Sequence, residues 1–190
     1  GIIGATKGRI EAFGRDVTHW PLHQRARFGL SYLPQESSIF RKLSVRENLQ
    51  IILEYTGLSR KEQRSRRDYL LHELGIAGLA DQRAVSLSGG ERRRLEIARA
   101  LIRDPHFMLL DEPFAGIDPL AVDDIQTNIQ GLKDKGIGVL ISDHNVRETM
   151  SICDRVYLVF DGRIILEGTP EEIVQDAQAR RIYLGEKFSM

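Results

Sequence analysis

Leu87-Ser88-Gly89-Gly90-Glu91, followed after a short helical stretch by Phe107-Met108-Leu109-Leu110-Asp111-Glu112, decides how this chain folds. The first segment is a glycine-rich turn opening a helix. Backbone N–H groups at such a helix start, with a serine hydroxyl beside them, are placed to receive a phosphate. The second is an apolar run ending in two adjacent carboxylates. A buried strand of this kind can deliver one acid to a metal and the other to a water.

Working outward, helix and strand alternate. A helix is expected from about residue 90 to 103, closed by Asp104-Pro105. Short apolar runs at 107–111, 137–142 and 155–160 read as strands, and their lack of alternation predicts parallel strands buried on both faces. Phe28–Leu33 reads as a further strand stopped by Pro34-Gln35, and Gly8–Gly14 as a short β-like piece. Between them and the glycine turn the period becomes helical. Ser44 with Glu47, and Ser59 with Glu62, have the capping-box spacing, and Gly75 ends the second helix. Asp161-Gly162 predicts a tight hairpin, and an amphipathic helix and tail are expected from Pro170 onward. The fold class is therefore α/β, a parallel sheet with an inserted helical lobe.

Composition narrows the function. The chain has 190 residues, with Lys+Arg 27 balancing Asp+Glu 27. That length suits one domain with a real core, and the balance argues against a nucleic-acid binder. Arg60–Arg67 reads as a solvated basic face. The single Cys153 excludes an internal disulfide and reads as a buried structural thiol in a reducing compartment. No apolar run approaches a membrane span and no signal peptide is visible, so a membrane role would come through a partner. His19, His23, His72 and His106 lack ligand spacing, and Trp20 reads as packing.

The turn continues as Glu91-Arg92-Arg93-Arg94-Leu95-Glu96-Ile97-Ala98-Arg99-Ala100, and the acids continue as Pro113-Phe114-Ala115-Gly116-Ile117-Asp118. Together these motifs resemble the signature and Walker B motifs of the ATP-binding cassette ATPases, whose fold is of the P-loop NTPase type. The resemblance implies that ATP and Mg²⁺ bind. Leu87, Ser88, Gly89, Gly90 and Glu91 would meet the nucleotide, as would Asp118 of the D-loop. Asp111 would hold Mg²⁺ through water, and Glu112 would polarise the attacking water. Gln35 matches the Q-loop ligand reaching toward Mg²⁺ and that water, and His144 matches the H-loop histidine at the γ-phosphate. The implied segments are a core remainder at 1–35, a helical subdomain at 36–86, a signature and Walker B core at 87–169, and a C-terminal helix and tail at 170–190.

Tyr32–Val45, Asp143–Thr149 and Tyr183-Leu184-Gly185-Glu186 look most like the lipopolysaccharide-export branch of that family. The alternatives are the branched-chain amino-acid importer branch, which shares Gly168-Thr169-Pro170 and the tail, and a degenerate non-catalytic subunit. The export branch implies a homodimer, peripheral on the cytoplasmic face of the inner membrane, bound to two transmembrane permease subunits. Phe40, Arg41 and Leu43 would line the permease groove. Membrane contact would come only through the permease, and no nucleic acid is involved. One family feature is not found: no G-x-x-x-x-G-K-[ST] occurs in these residues, and Lys7 has no glycine loop ahead of it. The expectation is a cassette lacking its N-terminal strands and phosphate loop, unable to hydrolyse ATP alone.

Overall fold

The structure is a computed structural model and describes residues 1–185. The chain forms two compact units, residues 1–142 and 143–190. The last five residues of the tail, Glu186 among them, lie outside the described residues.

The first unit opens on a small antiparallel hairpin, β1 (Glu11–Ala12) and β2 (Arg15–Asp16), turned by Phe13 and Gly14, both at positive φ. A short helix that the sequence reading missed, α1 (Leu22–Arg27), precedes β3 (Leu30–Leu33). β3 pairs in parallel with β4 (Phe107–Asp111), and β4 with β5 (Gly138–Ser142). The register sets Tyr32 opposite Leu109 and Asp111 opposite Ser142. α2 (Val45–Leu53) and α3 (Arg60–Glu73) make the helical lobe. α4 (Gly89–Ala100) follows the glycine turn, and α5 (Pro119–Asp134) lies between β4 and β5.

Local chemistry explains the helix starts. Ser44, Ser59 and Ser88 each accept a hydrogen bond from the backbone N–H three residues on, and Glu47, Glu62 and Glu91 each reach back to the serine N–H. Each box satisfies two donors that a helix start otherwise leaves without partners. Gly75 ends the second helix with φ 65°. α4 stops at Ala100 rather than near 103, tightening into a 3₁₀ turn over Leu101–Arg103 that Asp104 closes in a left-handed conformation.

The sheet is not covered evenly. Leu33, Met108 and Leu110 are buried, among a core that includes Leu95, Ile97, Ile125 and Ile129. The opposite face, bearing Leu30, Tyr32, Leu109 and Leu140, lines a mostly apolar cavity of about 750 Å³. The expectation of strands buried on both faces is thus corrected among the described residues: β4 alternates between buried and half-buried positions. The basic stretch also departs from a purely solvated face. Arg67 is buried against Asp68 and Gln50, and Arg66 binds the Leu101 carbonyl and Asp104.

In the second unit, α6 (Val146–Met150) precedes the hairpin β6 (Val156–Phe160) and β7 (Arg163–Gly168), turned at Asp161-Gly162 as expected. The parallel strand expected at 155–160 is corrected: among the described residues β6 pairs only with β7, antiparallel, because the tight turn returns the chain directly alongside it. Met150, Leu158, Ile173 and Ala179 form its core. The helix expected from Pro170 is interrupted: α7 (Pro170–Gln175) ends at Asp176, and helical turns resume over Ala177–Leu184. Cys153 is half-buried rather than buried.

The hydrogen bonds within their boxes hold the Glu47 and Glu62 carboxyls below the usual 4.5. Their contribution to stability is therefore complete above the unfolded value and is lost as pH falls through the lowered folded values. Melting temperature followed against pH should fall below about 4.5, and Glu62→Gln should fall less steeply there than the parent. At neutral pH, Ser59→Ala should cost about 1 kcal/mol of stability.

Candidate functional site

β4 is a central strand, so its C-terminal end carries the paired acids to the edge of the core between two neighbours. The chain then turns sharply. Glu112 adopts φ 43°, uncommon for a residue with a side chain, and its N–H donates to the Ser142 carbonyl at 2.7 Å. Gln35 follows β3, and its Nε2 donates to Glu112 Oε2 at 2.8 Å. Asp111 accepts from Ser142 Oγ at 2.7 Å and from the Tyr32 phenol at 3.0 Å. Partial burial, and next the bond to Asp111, push the Tyr32 phenol up. Gln35, Asp111 and Glu112 are thus brought together by adjacent strand ends.

Arg93 holds this arrangement from beneath, a role the sequence reading missed. It is buried on α4, and its guanidinium donates to the carbonyls of Pro34, Asp111, Glu112 and Pro113 at 2.9–3.1 Å. It also donates to Glu96 at 3.0 Å, and Glu96 in turn accepts from Ser37 Oγ at 2.7 Å. One planar fork therefore ties the segment around Gln35 to the turn that carries both acids. The available signal was position alone: Arg93 lies two to four residues from the apolar Leu95 and Ile97, on the inward side of the helix.

The glycine turn is built for close packing. A Cβ on Gly89 would lie 3.1 Å from the Gly116 carbonyl oxygen, and one on Gly90 would lie 2.8 Å from the Ala121 methyl. Glycine at both positions lets α4 approach the Gly116 segment and the first turn of α5 so nearly. Leu87 anchors the turn in the core, and Ser88 is exposed. The Ser88 hydroxyl is not idle: it accepts from Glu91 N while Glu91 Oε2 accepts from Ser88 N at 2.8 Å. The hydroxyl expected to face a phosphate is engaged as a helix cap. Asp118 caps α5 through Leu120 N at 2.9 Å.

Phe40 is 44% exposed and stacks under the Arg99 guanidinium, 5.2 Å from its centroid. Asn48 pins its backbone at both N–H and carbonyl. Arg41 is exposed, and Leu43 is half-buried. In the second unit, His144 is well exposed, with Nδ1 3.7 Å from Asp143 Oδ1.

A family model described as ABC transporter matches residues 1–115. The chain belongs to the ABC transporter ATPase family. A second model, of the branched-chain amino acid ATP-binding cassette transporter, matches residues 163–189 of this cassette. The whole cassette is 52% identical to the lipopolysaccharide export system ATP-binding protein LptB of Escherichia coli K12 and spans 79% of that protein. It is 54% identical to a probable ABC transporter ATP-binding protein of Azorhizobium caulinodans, spanning 68% of it. Among solved structures, the ADP conformation of MJ1267, an ATP-binding cassette of an ABC transporter, superposes with a TM-score of 0.84 at 29% identity. That match covers 98% of this cassette and 80% of MJ1267. CbiO1 of Clostridium perfringens, part of the transporter complex cbiONQ, gives 0.83 at 29% identity, covering 95% and 73%. The family hydrolyses ATP, and among the described residues no helix is long and apolar enough to cross a membrane.

Replacing Arg93 by Met would leave Glu96 buried without its cation and strip four carbonyls of a donor. Urea unfolding should show a loss of about 3 kcal/mol or more. A loss within 1 kcal/mol would show that the fork is dispensable. Arg93→Lys should rescue only part, because one ammonium cannot span the same acceptors.

Proposed function

We propose that this chain is the ATP-hydrolysing subunit of a lipopolysaccharide exporter. The geometry that carries the enzymatic reading is the Gln35–Glu112 bond beside Asp111 at the end of β4. A carboxylate held on a strained turn by a neutral amide is poised to accept a hydrogen bond from an attacking water. The export reading is supported by the LptB relatives of Escherichia coli, Haemophilus influenzae and Acidithiobacillus ferridurans, at 50–52% identity along the whole chain.

The donor set fits a hard cation. Asp111 accepts one hydrogen bond on each oxygen and keeps lone pairs for a water in a Mg²⁺ shell. Asp111 and Gln35 would hold the ion, which supplies charge neutralisation at the phosphates. Leu87–Glu91 and Asp118 would meet the nucleotide of a second copy, and His144 the γ-phosphate. The resulting homodimer would engage two permease subunits through Phe40, Arg41 and Leu43, and so sit peripherally on the inner membrane. These 190 residues contain no glycine loop with a phosphate-binding lysine, and are expected not to hydrolyse ATP unaided.

One observation favours a second reading. The match of residues 163–189 to the branched-chain amino acid transporter model points to an importer subunit. Complementation separates the two: the gene carrying this sequence should restore growth to cells depleted of their lipopolysaccharide-export ATPase. In that protein, Glu112→Gln should lower hydrolysis at least a hundredfold, the order expected on losing a catalytic base, while ATP binding persists. Rescue of branched-chain amino-acid uptake alone would overturn the export reading, and activity surviving in Glu112→Gln would overturn the role of Glu112.

A further inference from the structure

Asp111 stands between two hydroxyls, one from each neighbouring strand, and the sheet register explains both. In-register residues on adjacent strands present their side chains to the same face. Ser142 is directly opposite Asp111, so its short hydroxyl reaches Oδ1 at 2.7 Å. Tyr32 is opposite Leu109, two residues earlier on the same face of β4. Only a long side chain can span that diagonal, and the phenol does so to reach Oδ2 at 3.0 Å.

We propose that Tyr32 and Ser142 are positioning residues that clamp the Asp111 carboxylate for the divalent ion of bound nucleotide. This rests on the reading of Asp111 as the acid that faces Mg²⁺. A carboxylate at a strand end can rotate about two side-chain bonds. One hydrogen bond fixes one oxygen, and a second on the other oxygen, from the opposite strand, fixes the plane. Both donors are neutral, so the carboxylate keeps its full charge for a cation, which an arginine or lysine in either place would compete away. Stability alone does not call for the phenol, because Tyr32 remains 38% exposed on the less covered face of the sheet.

The test is Mn²⁺ binding to the ADP-loaded protein carrying these residues, read from the free-Mn²⁺ electron paramagnetic resonance signal. Metal-free ADP affinity is measured alongside in EDTA. Tyr32→Phe and Ser142→Ala should each weaken Mn²⁺ binding about tenfold, the lower end of what a hydrogen bond to a charged group contributes. The double variant should weaken it further, and metal-free affinity should hold in all three. Unchanged Mn²⁺ affinity in the single and double variants would overturn the proposal, as would equal losses with and without metal. Asp111→Asn separates the two readings. If it weakens Mn²⁺ binding and the hydroxyl variants do not, the clamp alone fails. If it does not, the metal role of Asp111 fails with it.

Discussion

The arrangement depends on one buried cation. Arg93 lies where a charge is costly to desolvate, and it is tolerated because its hydrogen-bonding capacity is matched by four carbonyls and the Glu96 carboxylate. Those carbonyls belong to two loops distant in sequence, the Pro34 segment after β3 and the turn after β4. Neither loop is regular, and only part of its backbone pairs within it, as where Ala115 N–H donates to the Glu112 carbonyl. The guanidinium adds donors to both loops and ties the Gln35 segment to the turn that carries Glu112. The geometry of the candidate site thus rests on the pairing of buried polar groups, and α4 is as much its foundation as β4.

The glycine turn adds a second constraint at the start of the same helix. Gly89 and Gly90 let α4 lie against the Asp118 loop, so residues proposed to meet nucleotide on a second copy are tied to the helix bearing Arg93. The Ser88–Glu91 box holds this end through two reciprocal hydrogen bonds. A phosphate arriving there would compete with Glu91 for the Ser88 N–H, so binding and helix capping draw on the same donor.

Much of this was legible in the sequence because it is local. The three serine caps follow from a spacing of three residues, and β4 follows from an apolar run closed by acids. The grouping of Gln35, Asp111 and Glu112 came from resemblance, since nothing local places a loop glutamine beside an acid 77 residues away. Arg93 was hard to read for a related reason: Arg92, Arg93 and Arg94 are chemically alike, and only helical position relative to Ile97 hints that the middle one faces inward. The half-covered sheet face escaped too, because apolarity records what a strand can bury and not what covers it. Tyr32 and Ser142 were invisible until the strand register set them on either side of Asp111.

These residues are proposed to hold the water-activating half of an ATPase site, which a phosphate loop would complete. Equilibrium binding of MgATP tests it most directly, comparing the 190 residues as they stand with the same residues joined to a family-type phosphate-loop segment. Tight binding is expected only in the joined protein. Comparable binding by both would overturn this reading, and would mean that the nucleotide is held by a phosphate site elsewhere in the chain.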